Sequence, residues 1–598
     1  MTSFRRYALS RRSVLKLLGS SMAMIAPGTL CARVVPSIGV EAKDKPQSRL
    51  KAIVHNQLGY RPGQKKIATI LWNRQGSSLS ALPSDFRVWT ADRSRTIYTG
   101  RLSSAQDDAL SGDLISCADF SPLNIAGKYT LEVGGTFGDA FPVADDAYSD
   151  ALRLSMRSYY GQRCGCKIDL GSGYEHGSCH THGSYHPSSG RSGEVHNQGG
   201  WHDAGDYGRY VVNSSITCGT LLWAWELLPT SLRPLSLDLP ESGKGIPDYL
   251  AEVQWNLRWM LTMQDPADGG VWHKQTSRSF CAFIMPQEDK LPSEVIGTGS
   301  APSKSTCATA GLAATMAIAA RCFASYDAPF ASACLKAARA AYAWSSVHPS
   351  VVFKNPTGVT TGEYGDASCS DELLWASAEL FRTTGESSFE TDFLQRFALL
   401  PADLGLRSPS WGDVAPLGMW AYVLDTKAKN TATVQRIKER TREVADSLTR
   451  EFKRNAYGHT LSAQDYGWGS NSAAGNQALL LIVANIIEEN PAAIEAAMGN
   501  LHYLLGRNCF AISWVTQVGL RPFQHPHHRP SAADSLAAPW PGLLSGGPNA
   551  HGGDAVANAL PKGAPMRAWI DDERAYSLNE VAINWNAPLV FLLAAANA

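Results

Sequence analysis

The sequence lacks an excess of either charge, and charged side chains are scarce throughout. Its 598 residues include 54 basic and 54 acidic side chains, which together make up 18% of the chain. Without a basic surplus there is no global field to attract nucleic acid or an anionic membrane surface. The sequence also lacks a repeat of fixed period, an alternation of strands with helices, and a long low-complexity linker. Solenoids and doubly wound parallel sheets are therefore not expected.

The first 32 residues contain five basic side chains and no acidic one. Within them, the apolar run from Val14 to Pro27 is too short to span a bilayer. Residues Ser10–Lys16 resemble the twin-arginine signal by which bacteria export folded proteins. We therefore predict a signal peptide over 1–32, a linker over 33–48, and a bacterial protein that is periplasmic or secreted. Contact with the export machinery would be transient, and stable membrane insertion is not expected.

Twelve cysteines in an exported chain would ordinarily indicate disulfides. If folding precedes export, however, it takes place in a reducing cytosol, where thiols stay free or bind a metal. The disulfide interpretation is therefore weak. Four cysteines lie in Ala- and Leu-rich helical patterns and are predicted to be small buried hydrophobic residues: Cys218, Cys307, Cys322 and Cys334.

The chain divides into a β-rich part and a longer helical part. Between Ala52 and Val143, short β-type runs are separated by Gly, Pro, Ser and Asp turns, which predicts a small antiparallel sandwich. From about Asp146, segments with helical spacing follow, joined by long Gly-, Pro- and His-rich loops. We expect two domains, 49–144 and 145–598, the second a closed array of helices with function on its loops. Helices are predicted at 247–264, 308–324, 328–345, 371–384, 432–453, 475–490, 491–505 and 586–597, and strands at 67–71, 86–89 and 127–133.

Two carboxylates lie three residues apart in the segment Gly199–Tyr210, at Asp203 and Asp206. Because the residues between them are small Ala204 and Gly205, the two side chains can converge on one water molecule, as a general base and its helper must. A calcium loop or a solvated turn would contain the same pair, so this motif alone leaves those alternatives open.

Glu580 is the candidate for a carboxyl group that stays protonated. Its neighbours in the chain are apolar or neutral, and burial beside Leu578, Val581 and Trp585 would raise its pKa toward the range that an acid catalyst needs at neutral pH. The alternative is an ordinary acidic residue in the first turn of a helix.

Three motifs of the chain resemble glycoside hydrolase family 9, the family of inverting cellulases, and they follow one another in the order found in that family. One active-site signature of that family resembles Ser513–Arg521 followed by Pro526–Arg529, and the other resembles Trp569–Ala587. The loop with Asp203 and Asp206 resembles a third landmark of the family. The resemblance covers nearly everything after the leader.

The resemblance implies a role for each candidate residue. Asp206 would be the general base, Asp203 would help to hold the nucleophilic water, and Glu580 would be the general acid. Inversion would follow if the acid and base lie roughly 6.5–9.5 Å apart across the glycosidic bond, because a water molecule then fits between them. Asp571 would orient the site, with helix capping as the alternative. The residues implied to bind sugar are His527, Arg529 and Tyr576.

The layout resembles family members with an immunoglobulin-like domain before an (α/α)6 barrel. The expected fold class is therefore mainly α, with a small all-β sandwich in front. Val54–Tyr60 resembles the usual opening strand of that sandwich, and Asp268–Lys274 resembles a segment of the barrel. Within it, Trp272 and His273 are expected in the cleft, where an indole can stack on a sugar ring, although a Trp in a helical barrel is more often core.

Two metal sites are also implied. Two thiolates and two imidazoles near Asp203 form the ligand set of a closed structural zinc site. The resemblance assigns Cys164, Cys179, His180 and His202 to it, with Cys166 and His182 as competitors and buried free cysteines as the alternative. Oxygen ligands for calcium are implied at Asp366, Asp371, Glu372 and Asp413, of which Asp371 and Glu372 could instead be acids at a helix N-terminus.

The sequence therefore predicts an exported, monomeric or weakly associating endo-β-1,4-glucanase-like enzyme that acts on cellulose-derived glucans or cello-oligosaccharides. No dockerin-like repeat, Ser/Thr/Pro linker or separate carbohydrate-binding module is visible, which favours soluble or amorphous substrates. Two alternatives stay open: an exo-acting hydrolase of glucosamine oligomers such as chitosan fragments, and a non-catalytic carbohydrate-binding envelope protein.

Overall fold

The computed structural model describes residues 50–74 and 82–598. The predicted signal peptide and linker lie outside these residues. In the first part of the described chain, eight strands form two four-stranded antiparallel sheets, in the orders β1-β2-β6-β5 and β4-β3-β7-β8. The strands are β1 (Leu50–Val54), β2 (Ile67–Trp72), β3 (Asp85–Thr90), β4 (Thr96–Arg101), β5 (Gln106–Asp107), β6 (Leu114–Asp119), β7 (Gly127–Val133) and β8 (Thr136–Val143).

The two sheets enclose one apolar core, as the alternating pattern predicts. Ile70, Phe86, Val88, Leu131 and Phe141 belong to this core, and each is at most 1% exposed. The predicted strands at 67–71, 86–89 and 127–133 correspond to β2, β3 and β7, so the prediction of an all-β sandwich is confirmed.

Helices dominate the rest of the described chain. The longer ones are α1 (Ser149–Gly161), α2 (Val211–Leu227), α4 (Asp248–Thr262), α5 (Thr306–Phe323), α6 (Ala328–Val347), α7 (Ser370–Thr384), α8 (Ser387–Phe397), α9 (Ala415–Val423), α10 (Thr431–Arg454), α11 (Ser470–Ile487), α12 (Pro491–Leu504) and α16 (Ile583–Asn597). The short ones are α3 (Pro229–Leu232), α13 (Arg529–Ala533), α14 (Ala555–Asn558) and α15 (Tyr576–Asn579).

Twelve of the described helices have nine or more residues, and they form the (α/α)6 barrel. The inner six, α2, α5, α7, α9, α11 and α16, are mostly buried, and α2 packs against both α5 and α16. The outer helices are amphipathic; α10, for example, buries Ile437, Thr441 and Ala445 at helical spacing. α5 is long and apolar enough to span a membrane by length and composition, but 94% of it is buried inside the protein, as in a core helix.

A small third sheet, which was not predicted from the sequence, lies among the barrel loops. Its order is β12-β11-β15-β14-β13, and only the pair β11 and β15 is parallel. Strands of two to four residues are too short to produce a periodic signal in the sequence. The sheet strands are β11 (Gly183–Tyr185), β12 (Glu194–Val195), β13 (Arg209–Tyr210), β14 (Lys274–Thr276) and β15 (Ser293–Ile296), and β9 (Ile168–Asp169) pairs separately with β10 (Glu175–His176).

Cys307 and Cys369 form a disulfide, so the prediction of Cys307 as a free buried thiol was wrong. Cys307 lies in the first turn of α5 and Cys369 directly precedes α7, so the bond joins the starts of two neighbouring inner helices. Their separation of 62 residues gives no sign in the sequence that the barrel brings them together. The other three cysteines of the prediction, Cys218, Cys322 and Cys334, are buried and free.

Polar contacts join the sandwich to the loops of the barrel that carry the signatures. The side-chain carbonyl of Gln57 accepts a hydrogen bond from the backbone N–H of Arg521 at 2.8 Å. Asp113 forms an ion pair with Arg567 at 2.6 Å. Arg521 ends the first part of one signature and Arg567 lies two residues before the other, so the sandwich supports both loops.

Candidate active site

Backbone hydrogen bonds bring the three sequence motifs to one place. The N–H of Ile583 donates to the carbonyl of Asp203 at 2.8 Å, and the N–H of His527 donates to the carbonyl of Asn579 at 2.9 Å. The N–H and guanidinium of Arg529 both donate to the carbonyl of Gly205. A side chain at Gly205 would collide with the carbonyl oxygen of His527, which explains why a glycine stands between the two aspartates.

Asp203 is fully enclosed and held on both oxygens. Its side chain is 1% exposed; Oδ1 accepts a hydrogen bond from the amide of Asn213, and Oδ2 accepts one from the hydroxyl of Tyr364 at 2.6 Å. Burial, followed by the negative charge of Asp206, raises the pKa of Asp203 to about 7, although the two donors oppose the shift. Asp203 is therefore a rigid carboxyl group with little freedom to rotate.

Asp206 differs because one of its oxygens is free. Oδ2 accepts hydrogen bonds from the backbone N–H of Gly208 at 2.9 Å and from the hydroxyl of Tyr210 at 3.3 Å. No protein donor in the described chain reaches Oδ1, and this oxygen is not sealed from solvent. Asp206 can therefore accept a proton from a water molecule at Oδ1 while Oδ2 fixes its orientation.

Glu580 lies at the end of α15, on the segment that bridges to His527. Its removal from water raises its pKa well above the ordinary carboxyl range, and the charges of Asp206 and Asp203 raise it further. No hydrogen bond in the described chain joins the carboxyl of Glu580 to either aspartate. The three groups thus interact electrostatically without a hydrogen bond between them, and this interaction favours the protonated form of Glu580.

Two other signature residues, His527 and Asp571, differ in their contacts. The ring of His527 packs edge-on against Phe283 at 5.0 Å and lies 5.8 Å from the ring of Tyr576. Asp571 does not face the carboxyls; it accepts hydrogen bonds from the backbone N–H groups of Gln524 and His525, both at 2.8 Å. Asp571 therefore fixes the loop that carries His527.

The comparisons with known proteins agree with this convergence of motifs. The sequence profile described as glycosyl hydrolase family 9 matches residues 148–593, and the profile of the cellulase N-terminal Ig-like domain matches 49–137. The chain belongs to glycosyl hydrolase family 9.

Relatives and solved structures of the family align along nearly the whole chain. Endoglucanase D of Acetivibrio thermocellus is 36% identical, covering 96% of this chain and 87% of the relative. Cellodextrinase of Butyrivibrio fibrisolvens is 32% identical, covering 91% and 99%. The crystal structure of a zinc-binding triple mutant of a family 9 endoglucanase superposes with a TM-score of 0.83 at 34% identity, covering 90% and 99%.

Three residues of this family 9 enzyme that were expected to touch sugar are instead bonded to protein. Trp272 is 3% exposed and donates its indole N–H to the carbonyl of Ser189. His273 is 1% exposed and stacks on a neighbouring phenylalanine, with both ring nitrogens bonded within the protein. The guanidinium of Arg529 donates to the carbonyls of Gly205 and Cys281. The burial of Trp272 and His273 contradicts the expectation that they lie in the cleft. Arg529, through its two carbonyl contacts, holds the backbone at Gly205 in position.

Sequence reasoning missed the residues that hold the aspartates. Tyr364 and Asn213 bind Asp203, and Tyr210 binds Asp206. Tyr364 lies in the segment Gly362–Asp366 and has a positive backbone φ of 44°. The signal available in the sequence was a tyrosine within this short acidic segment, but its partner Asp203 lies 161 residues away in the chain.

The predicted zinc ligands form a compact cluster, which we call the sulfur–imidazole cluster: Cys164, Cys179, His180 and His202. Their ligand atoms all lie within 4.8 Å of one another, and neither Cys166 nor His182 belongs to the group. The pKa of the Cys164 thiol is held well below its ordinary value, chiefly by a hydrogen bond with Cys179, and the thiolate is the form that binds metal.

Its geometry fits a tetrahedral ion. Zinc bonds of about 2.3 Å to sulfur and 2.0–2.1 Å to nitrogen place two sulfurs roughly 3.8 Å apart, and a sulfur and a nitrogen roughly 3.5 Å apart. The two sulfurs lie 4.0 Å apart, and Cys179 Sγ lies 3.5 Å from His202 Nε2. His180 Nε2 pairs with Asp289 at 3.3 Å, while its buried Nδ1 has no hydrogen-bond partner and is free to bind a metal.

Three of the four predicted calcium ligands form a second group, the acidic cluster: Asp366, Asp371 and Glu372. Both carboxylate oxygens of Glu372 are buried without a hydrogen-bond partner, and burial together with the charge of Asp371 raises the pKa of Glu372 well above its ordinary value. Unpaired buried carboxylates of this kind fit a hard cation. Asp413 stands outside the group and pairs with Arg407 at 2.8 Å.

Proposed function

We propose that this family 9 enzyme hydrolyses β-1,4-glucosidic bonds of cello-oligosaccharides and amorphous cellulose-type glucans, with inversion at the anomeric carbon. The observation that carries the proposal is that the three carboxyls differ in their surroundings. The pKa of Glu580 is raised, both oxygens of Asp203 accept hydrogen bonds from protein, and one oxygen of Asp206 accepts none. The endoglucanase and cellodextrinase names of the relatives support the substrate class. They do not favour an amino-sugar substrate or a non-catalytic role.

In the proposed mechanism, Asp206 Oδ1 removes the proton from the attacking water. Asp203, locked by Asn213 and Tyr364, accepts the second hydrogen bond of that water and orients it. Glu580 supplies the proton to the leaving oxygen, because burial, and then the neighbouring negative charges, raise its pKa well above the ordinary carboxyl range. Inversion requires room for a sugar and a water molecule between the acid and the base, whose carboxyls would lie roughly 6.5–9.5 Å apart.

We also propose zinc for the sulfur–imidazole cluster and calcium for the acidic cluster. Zinc supplies no chemistry to the reaction; it fixes the backbone at His202, which directly precedes Asp203. Calcium neutralises carboxylates on the segment that also carries Tyr364, which bonds to Asp203. The related zinc-binding triple mutant supports the metal type for a protein of this fold.

We further propose a monomeric protein, exported through its twin-arginine leader, with a sandwich over 49–144 and a barrel over 145–598. The paired basic residues of the leader and the family match from residue 49 onward support this arrangement. Fractionation of cells expressing the full chain should find activity outside the cytoplasm. Replacing Arg11 and Arg12 with lysine should retain the activity inside.

The catalytic test compares Glu580→Gln with a control, Glu573→Gln, an exposed acid in the same signature whose backbone carbonyl, not its carboxyl, contacts His527. Glu580→Gln should lower kcat on cellopentaose by roughly 10²–10⁴-fold, and Glu573→Gln should leave it unchanged. Proton NMR of the first product should show the α-anomer. Full activity in Glu580→Gln, or an initial β-anomer, would contradict the assigned roles; activity on glucosamine oligomers alone would contradict the substrate.

A further inference from the structure

Four large aromatic side chains near the carboxyls are exposed, although the protein buries most of its aromatic rings. Phe280 is 48% exposed, Phe283 40%, Tyr576 37% and Trp468 53%. Exposed rings lose the free energy that burial of their apolar surface would give them. Rings kept exposed beside a catalytic group are typical of a binding surface.

Three of these rings, together with His527, form a continuous row, here called the aromatic row, and Phe280 lies on the same loop as Phe283. The ring of Phe283 lies 5.0 Å from that of His527, His527 lies 5.8 Å from Tyr576, and Tyr576 lies 5.4 Å from Trp468. At one end of the row, the indole of Trp468 lies close enough to Glu580 to lower the pKa of its carboxyl. The row therefore runs from Trp468, beside the acid, past Tyr576 and His527 to Phe283, on the loop that also carries Phe280.

That loop is held in place on both sides. It connects β14 to β15, which pair with each other, and an ion pair of 2.7 Å between Arg278 and Glu294 closes its base. Inside the loop, the carbonyl of Cys281 accepts from the guanidinium of Arg529, and the carbonyl of Ile284 accepts from the hydroxyl of Tyr207. The two exposed phenylalanines thus occupy fixed positions before any ligand arrives.

The chemistry of the row selects a neutral, ring-shaped ligand. The guanidinium of Arg529 lies 5.6 Å from the ring of Phe280 and 5.2 Å from that of Phe283, so one side of each ring is covered and the rest faces solvent. No member of the row is acidic, so nothing in it attracts a cationic amino sugar. The C–H faces of a glucosyl ring match such aromatic surfaces.

We propose that Phe280 and Phe283 form an additional glucosyl subsite, beyond His527 along the aromatic row, which favours longer β-1,4-glucan chains over short ones. This inference rests on the proposed function and adds a length preference to it. Neither residue belongs to the two signatures, and neither touches a carboxyl.

The experiment measures kcat and KM for cellotriose to cellohexaose with Phe280→Ala, Phe283→Ala and the double variant. Each ring should contribute about 3- to 10-fold to kcat/KM for cellohexaose, through KM and not kcat, and should leave cellotriose unchanged. Phe283→Trp should preserve the preference, whereas Phe283→Leu should lose it, because stacking needs an aromatic face.

Tyr326→Ala is the matched control, since Tyr326 is 36% exposed but packs on Trp225, at the end of α2 remote from Asp206. It should change no kinetic constant. Equal losses at every chain length, or no loss in the double variant with an unchanged melting temperature, would overturn the subsite while wild-type activity upholds the proposed function. A wild-type enzyme inactive on the whole ladder would overturn the proposed function itself.

Discussion

The sulfur–imidazole cluster and the acidic cluster both connect to Asp203, by different routes and with different ligand chemistry. The first acts through the backbone, because His202 is the residue before Asp203. The second acts through a side chain, because Tyr364 lies two residues before Asp366 and bonds to Asp203 Oδ2 at 2.6 Å. Two independent contacts thus define the position of one carboxyl group.

The two clusters differ in how far the protein itself supplies hydrogen-bond partners and opposite charge to their side chains. The sulfur–imidazole cluster has four converging ligand atoms and a partner for one of its histidines at Asp289. The acidic cluster has buried like charges, and both oxygens of Glu372 lack a partner. The four converging sulfur and nitrogen atoms are therefore preorganised for a metal ion, whereas the acidic cluster gathers negative charge that a cation would neutralise.

The largest effect is expected at the cage. Cys164→Ser should abolish zinc binding, lower the melting temperature by roughly 5–10 °C and reduce kcat strongly, because the backbone before Asp203 loses its anchor. Elemental analysis and calorimetry measure the outcome. Cys166→Ser, next in the chain but outside the cluster, should change neither. A wild-type protein that contains no zinc and is no more stable than Cys164→Ser would contradict the distinction between the clusters.

The second effect concerns the link between the acidic cluster and the site. Tyr364→Phe removes a hydrogen bond to a charged, buried group, so kcat should fall by roughly 10- to 100-fold with little change in KM. In this variant, removal of calcium should still lower stability but should no longer change kcat. Steady-state kinetics with and without chelator measure this coupling. An unchanged calcium effect on kcat would show that the acidic cluster acts by another route.

Removal of calcium should have a smaller effect, which depends on pH. The pKa values of Asp371 and Glu372 are raised in the metal-free fold, so that fold loses stability as pH rises through them. Calcium prevents this loss, so chelation should lower the melting temperature by a few degrees at pH 8 and less at pH 5. Calorimetry at both values is the measurement. Glu372→Gln should make the protein insensitive to chelator, and a larger drop at pH 5 would contradict the charge argument.

The smallest effect is expected at Glu580, which neither cluster touches. The neighbouring indole of Trp468 lowers the pKa of Glu580, against burial and the aspartate charges. Trp468→Phe should therefore raise that pKa and move the alkaline limb of the kcat profile to higher pH, by less than about one unit. Tyr576→Phe is the control, because its hydroxyl bonds to the carbonyl of Gly553 and not to Glu580. A shift to lower pH would reverse the assigned direction.

Local patterns in the sequence were enough to predict the positions of some strands and helices. The strands at 67–71 and 127–133 and helices such as α10 have clear periodicity, so their positions could be predicted. Helices α1 and α2 were not predicted; α2 is buried on nearly every side and carries no polar face to mark its period. The third sheet was missed because its strands contain two to four residues.

The sequence by itself determined the fold class, the family and the identity of the candidate carboxyls, because these depend on residue types at fixed spacing within continuous segments. Only the tertiary structure decided which aspartate has a free oxygen, that Trp272 and His273 are buried, that Cys307 bonds to Cys369, and that Tyr364 and Trp468 reach the site. The physical reason is that hydrogen bonds, burial and electrostatic shifts depend on distances in space. The barrel creates those distances between residues that are remote in the chain.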